Sequence, residues 1–335
     1  MFTIDSLLLY TRHSFPRLIY WISLVSMLVS LVSCERPNSA QLDSATPAAA
    51  AVPASPTTTP APSQTPQATF VLPSALPPTS TATSEPEPTA DSTAVYLSCL
   101  RKPGRVEQSS FPSVVITDTV RFRIYLPGCY AALPVQRFPA LYLLHGQGFG
   151  DDQWERLGVP QKMDALQRAG RIPPFLVVMP YDPSQKEAYE DDFGSTFPLE
   201  VVPWIDNHYR TLVDRQHRAI GGLSRGSGWA AHFGLLDWEK FGAIGLHSIS
   251  IFWSDVSAIK SWLSDIPPDQ MPAIYIDIGD REKPKMLESA RWFEELLTDQ
   301  GIAHEWHLYR GYHDENYWQL HVEFYLLWYA DQLGR

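Results

Sequence analysis

Cysteine is scarce: three in 335 residues, too few for a disulfide-stapled mini-scaffold or a cysteine-rich metal framework. Basic side chains are in deficit as well, 26 against 37 acidic, for a formal charge of −11. The C-terminal 241 residues carry 23 basic and 31 acidic groups without a Lys/Arg cluster. That balance excludes a nucleic-acid partner and a basic membrane-surface patch. There is no internal repeat, which removes solenoids and propellers. Aromatic and charged residues almost vanish between positions 35 and 94, where Phe70 and six charged residues stand among 12 of the 29 prolines. Such a stretch cannot bury enough apolar surface to offset its ordering entropy, so it reads as a disordered Pro/Ser/Thr/Ala-rich linker.

Tryptophan shows where the foldable part lies: ten of the 11 are at or after Trp154. Residues 95–335 are therefore expected to form one domain, long enough to bury roughly 70–75% of its unfolded surface. Ahead of the linker, Arg12, His13 and Arg17 precede an uncharged apolar run at 18–33. Its sixteen residues span about 24 Å as a helix, short of a hydrocarbon core of roughly 30 Å. A positive segment followed by a run of this length reads as a secretory signal over residues 1–33. The run ends Leu31-Val32-Ser33-Cys34, which resembles a bacterial lipobox. The resemblance implies an exported lipoprotein with Cys34 lipidated at its mature N-terminus, held to the membrane by that anchor only. The competing reading is a short signal anchor with an incidental cysteine. In an oxidising compartment the remaining pair, Cys99 and Cys129, is expected to form a disulfide; two free buried thiols are the alternative.

Within the domain, short apolar runs alternate with helical periodicity. Residues 114–126 read as one or two antiparallel edge strands. Continuous apolar runs at 140–144 and 175–179 read as strands buried on both faces, and further strands are expected at 218–223, 243–246, 273–278 and 306–309. Helical patterns fall at 161–169, 198–212, 228–236, 286–297 and 318–333. The fold class is therefore α/β, a mostly parallel twisted sheet with helices on both faces. Chemistry in such sheets gathers at the carboxyl ends of the strands.

One of those ends reads Gly222-Leu223-Ser224-Arg225-Gly226, between a strand and a helix. This is the context of a nucleophile elbow, where glycines flank a serine on a tight turn because neighbouring chains leave no room for Cβ. The plainer reading is a glycine-rich turn with a capping serine. A serine nucleophile needs a base, and the loop after the last strand supplies His313. His232, His217, His304, His307 and His321 lie in or beside regular elements, whereas His145 and His247 end strands close to the expected site. The acid belongs after the strand at 273–278, where Glu282 is the first candidate and Asp280 the alternative. The order Ser, acid, His is that of α/β-hydrolases. Two backbone N–H groups are expected to receive the oxyanion: Arg225, next to the serine, and Gln147, in the loop His145-Gly146-Gln147-Gly148-Phe149-Gly150. That loop lacks a Walker lysine and does not match GxGxxG, which removes the phosphate-binding alternative.

Together LYLLHGQGFGDDQW, GGLSRGSG, IDIGDREKP and RGYHDENYW resemble a bacterial esterase family of the α/β-hydrolase fold that includes esterase D, feruloyl and enterobactin esterases and mycolyltransferases. The resemblance covers roughly residues 100–335. It implies a serine carboxylic-ester hydrolase with no metal or other cofactor, acting on small-molecule, carbohydrate or siderophore-type esters. The family's usual acid is Asp, so Glu282 departs from the pattern. Alternatives are an acyltransferase on the same machinery, an inactive esterase-like binding module, and, remotely, a metal-dependent hydrolase built on His304, His307 and His313. The segment 181–196 is expected to overhang the site, where Glu187, Glu190, Asp191 and Asp192 would disfavour strongly anionic substrates; a solvated charged loop is the alternative. Residues 248–272 are too short for a lid, and Trp253, Tyr312 and Trp318 are the aromatic candidates for stacking against a substrate.

Overall fold

The computed structural model describes residues 90–334. The apolar run, the motif at 31–34 and nearly all of the proline-rich segment lie outside the described residues, together with the readings placed on them. A helix, α1 (Ala90–Cys99), begins inside the span read as linker.

The described strands form one sheet: β1 (Arg105–Pro112), β2 (Thr119–Leu126), β3 (Ala140–Leu144), β4 (Leu176–Pro180), β5 (Arg218–Leu223), β6 (Ala243–His247), β7 (Ala273–Gly279) and β8 (Glu305–Tyr309). Their order is β1-β2-β4-β3-β5-β6-β7-β8. β1, β2 and β4 pair antiparallel, and every other pairing is parallel. This is the α/β-hydrolase architecture.

The apolar runs of β3 and β4 are buried along their whole length because both faces of the sheet are covered. The period of two divides them. Tyr142, Val178, Ile220, Ile244 and Ile276 face one core, and Leu141, Val177, Leu223 and Tyr275 face the other. Helices α6 (Val202–His208), α7 (Arg225–Leu236), α8 (Ile259–Asp265) and α9 (Pro284–Asp299) contribute to the first core. The second is filled by α3 (Gln153–Arg156), α4 (Val159–Arg168) and α10 (Glu315–Leu333). Two short helices complete the set, α2 (Cys129–Ala132) after β2 and α5 (Phe193–Thr196) before α6. The Cys99–Cys129 disulfide ties α1 to α2.

Some elements depart from the sequence expectation. The edge strand β1 has a polar, half-exposed pattern with no apolar alternation to announce it, and it is held by its register with β2 from Arg105↔Leu126 to Pro112↔Thr119. Residues 114–118, read as strand, belong to the turn that connects β1 to β2, with Thr117 at φ +50°. The helix expected at 198–212 starts earlier and stops earlier: α5, one wide turn over 197–201 and α6 follow one another without a break from 193 to 208, and Pro198 and Pro203, which lack amides, fall at the wide turn and just after it.

Candidate active site

The loops after β3, β5, β7 and β8 meet at one rim of the sheet. After β5 the chain turns sharply: Ser224 has φ +53° and ψ −122°, and its N–H donates to the His247 carbonyl at 3.0 Å. A Cβ on Gly222 would stand 2.2 Å from the Gly226 carbonyl oxygen, and one on Gly226 would stand 2.2 Å from that of Leu144. The two glycines are thus what let the strand, the turn and the start of α7 pack this closely, with Ser224 at the helix N-terminus.

His313 Nε2 lies 2.8 Å from Ser224 Oγ, and Nδ1 lies 2.8 Å from Glu282 Oε2. The carboxylate cannot donate, so Nδ1 carries the proton and Nε2 is left to accept the serine hydroxyl. Glu282 has no exposed side-chain surface, whereas His313 is 23% exposed and open to a reactant. Asp280 takes another job: it is 44% exposed and accepts from the Gly311 amide at 3.0 Å, holding the loop that carries His313. The structure thus brings Ser224, His313 and Glu282 together and leaves Asp280 outside that set.

The loop after β3 is braced by Gln153, whose Oε1 accepts the Gly146 amide at 2.8 Å. Gly148 there has φ +80°, a conformation suited to glycine. Gln147 lines a cavity of about 250 Å³ together with Phe149, Ser224, His313 and Glu315. The Arg225 amide opens α7 and has no acceptor within the helix. A larger cavity of about 950 Å³ lies between the β1–β2 edge and the 181–196 segment, but it contains none of the three assembled side chains. The larger volume is thus not the one that Ser224 and His313 line.

The Arg225 side chain does something its place in the motif did not signal. Buried, it donates to Asp182 at 3.1 Å and to Asp191 at 2.9 Å, reaches the Lys186 carbonyl at 2.6 Å, and lies over the Phe252 ring. Burial, then the neighbouring Asp182, pushes the Asp191 carboxyl above its usual range. Of the four acidic side chains expected at the rim, the Arg225 cation meets Asp191, and Asp192 is exposed. Asp191 is paired, Glu187 accepts from the Ser254 amide at 3.2 Å, and Glu190 takes the Tyr189 hydroxyl.

The other histidines have partners of their own. His247 is fully buried between Asp277 and Tyr329, and Tyr317 and Tyr325 donate to the same carboxylate. Burial, then the Asp277 charge, keeps the three phenols protonated. His304 turns to the Ile302 carbonyl, His307 lies by Glu305, and His232 meets Asp255. Among the described residues no three His, Cys, Asp or Glu side chains are gathered to hold a metal ion. Trp253 is 82% exposed, whereas Trp318 is almost wholly buried and forms part of the wall of the cavity of about 250 Å³. Tyr312 is half exposed, under Arg281.

The sequence profile of the family described as "Putative esterase" matches residues 113–324. The chain belongs to that family. Among curated relatives of this esterase, an endo-1,4-beta-xylanase/feruloyl esterase of Xylanibacter ruminicola is 29% identical over 225 residues, 62% of this chain and 30% of the relative. An esterase of Mycobacterium tuberculosis is 24% identical over 229 residues, 52% of this chain and 48% of the relative. The chain thus matches less than half the length of these curated relatives. Solved structures share the fold: a ferulic acid esterase has a TM-score of 0.62 at 23% identity, covering 68% of this chain and 98% of its own. An S-formylglutathione hydrolase of Staphylococcus aureus has a TM-score of 0.56 at 16% identity, covering 68% and 98%.

Proposed function

We propose that this esterase-family chain is a serine carboxylic-ester hydrolase working through an acyl-enzyme. The observation that carries the reading is the single imidazole of His313, within 2.8 Å of both a serine hydroxyl and a buried carboxylate. Ser224 Oγ attacks the ester carbonyl as His313 Nε2 takes its proton. The Gln147 and Arg225 amides receive the oxyanion, and Glu282 holds the imidazole in its tautomer and stabilises the imidazolium. His313 then returns the proton to the leaving alcohol, the acyl group stays on Ser224, and water activated by the same imidazole releases the acid.

An aromatic acyl group suits the cavity. Its volume of about 250 Å³ and the half-exposed Phe149 ring accommodate a planar arylpropenoyl group, and the Xylanibacter relative carries feruloyl esterase in its name. The enzyme acts outside the cytoplasm, tethered by lipid on Cys34. The Cys99–Cys129 disulfide supports an oxidising compartment.

Purified residues 90–335 should hydrolyse methyl ferulate and short aryl esters, react with a fluorophosphonate at Ser224, and lose both properties in Ser224→Ala. An unlabelled, inactive wild-type protein would return the reading to a binding module. Labelling of the full chain by palmitate in bacterial cells, lost in Cys34→Ser, tests the anchor.

A further inference from the structure

Next to the catalytic trio, two buried side chains continue the same hydrogen-bond chain. Ser248 follows the last residue of β6 and is fully buried, and its Oγ lies 2.5 Å from Glu282 Oε1. Trp318, on the first turn of α10, brings its indole Nε1 to 2.9 Å from the same Oγ. An indole N–H only donates. It therefore occupies a lone pair of the Ser248 oxygen, and the hydroxyl proton is directed at the carboxylate. The Trp318 ring also stands edge-on to His313, centroids 5.0 Å apart and planes at 84°. One carboxylate oxygen of Glu282 thus meets Ser248 while the other meets His313.

The backbone at Ser248 is unusual in a way that fits this role. It has φ +50°, a region L-residues with a Cβ seldom occupy, and its N–H donates to the Asp277 carbonyl at 2.8 Å. Glycine would meet that conformation with less strain. A serine here is explained by its hydroxyl, not by the turn.

We propose that Ser248 and Trp318 are positioning residues that lock Glu282 in the rotamer able to hold the His313 imidazole. The assignment rests on the Ser–His–Glu reading of the same site. A Glu side chain has one more rotatable bond than Asp, and the second oxygen must be fixed if the first is to meet Nδ1 at a constant distance and angle. Ser248 fixes it, and the Trp318 indole fixes the direction in which Ser248 donates. Ser248 lies behind the carboxylate, away from Ser224, and Trp318 acts on Glu282 through the Ser248 hydroxyl while its ring stands edge-on to His313.

Ser248→Gly separates the hydroxyl from the backbone. The expected result is a kcat 10- to 100-fold lower with KM within twofold, a fluorophosphonate labelling rate reduced in parallel, and a circular dichroism spectrum and cooperative unfolding transition like those of wild type. Trp318→Phe, which keeps a ring against His313 but cannot donate, should lower kcat three- to tenfold. The double variant should be no slower than Ser248→Gly, because both act through one hydroxyl. A Ser248→Gly enzyme with wild-type kcat and labelling rate overturns the proposal, as does a double variant whose losses multiply. A wild-type protein that neither turns over esters nor labels overturns instead the esterase reading on which the proposal stands.

Discussion

His145 and Asp182 are joined ring to backbone: the Asp182 amide donates to His145 Nε2 at 2.9 Å, while Nδ1 donates to the Gly146 carbonyl at 2.8 Å. Both ring nitrogens therefore have fixed roles, and only the neutral imidazole satisfies them. A second proton would set N–H against N–H at the junction between the loop after β3 and the segment carrying Asp182 and Asp191.

This contact makes stability depend on pH. Burial holds the His145 pKa below the ordinary value of 6.5. The folded state then binds fewer protons than the unfolded chain, so the contribution is whole above that value and is lost as pH falls below it. Compared with His145→Gln by urea denaturation, the wild type should hold an advantage of about 1–2 kcal/mol at pH 7.5, narrowing toward pH 5.5. A constant gap across that range would contradict the assignment.

The two candidate acids separate kinetically. Glu282→Gln keeps the volume but not the charge facing His313 and should lower kcat by about 10³- to 10⁴-fold. Asp280→Asn, which retains an acceptor for the Gly311 amide, should stay within about threefold of wild type. Reversed sensitivities would give the role to Asp280.

Arg225 contributes its side chain as well as its amide. Replacing it by Met leaves Asp182 and Asp191 buried without their cation, at a cost of about 3–5 kcal/mol. The 181–196 segment should become the first site of limited proteolysis. Unfolding free energies within about 0.5 kcal/mol of wild type, with unchanged cleavage, would show that the clamp carries little.

The Cys99–Cys129 bridge closes a 30-residue separation. Loop-closure entropy for such a span predicts that Cys99→Ser/Cys129→Ser loses about 3–4 kcal/mol of stability. Neither residue lines the cavity at Ser224 and His313, so kcat measured well below the melting temperature should not change. Calorimetry with and without reductant, run beside the kinetic assay, checks both halves of this expectation.

Legibility followed locality. The buried parallel strands stood out because continuous apolar runs have few other uses, and β3 and β5 fall at the bounds their sequences suggested. The edge strand β1 did not, because its residues are half exposed and its conformation is imposed by β2. The elbow was readable from its two glycines, a local steric demand. Ser248 carried no comparable signal: it follows a strand in a common His-Ser pair, and its partners Glu282 and Trp318 lie 34 and 70 residues further along.

The chain's own pattern determined the alternation of strand and helix, the right-handed parallel sheet, and the rim on which reactive loops had to emerge, because hydrophobic period and turn chemistry act over a few residues. Only the assembled tertiary structure decided which acid meets His313, which side chain pairs with Asp191, and which of two cavities Ser224 lines. Those outcomes depend on distances of a few ångströms between residues dozens of positions apart, and such distances are set by packing.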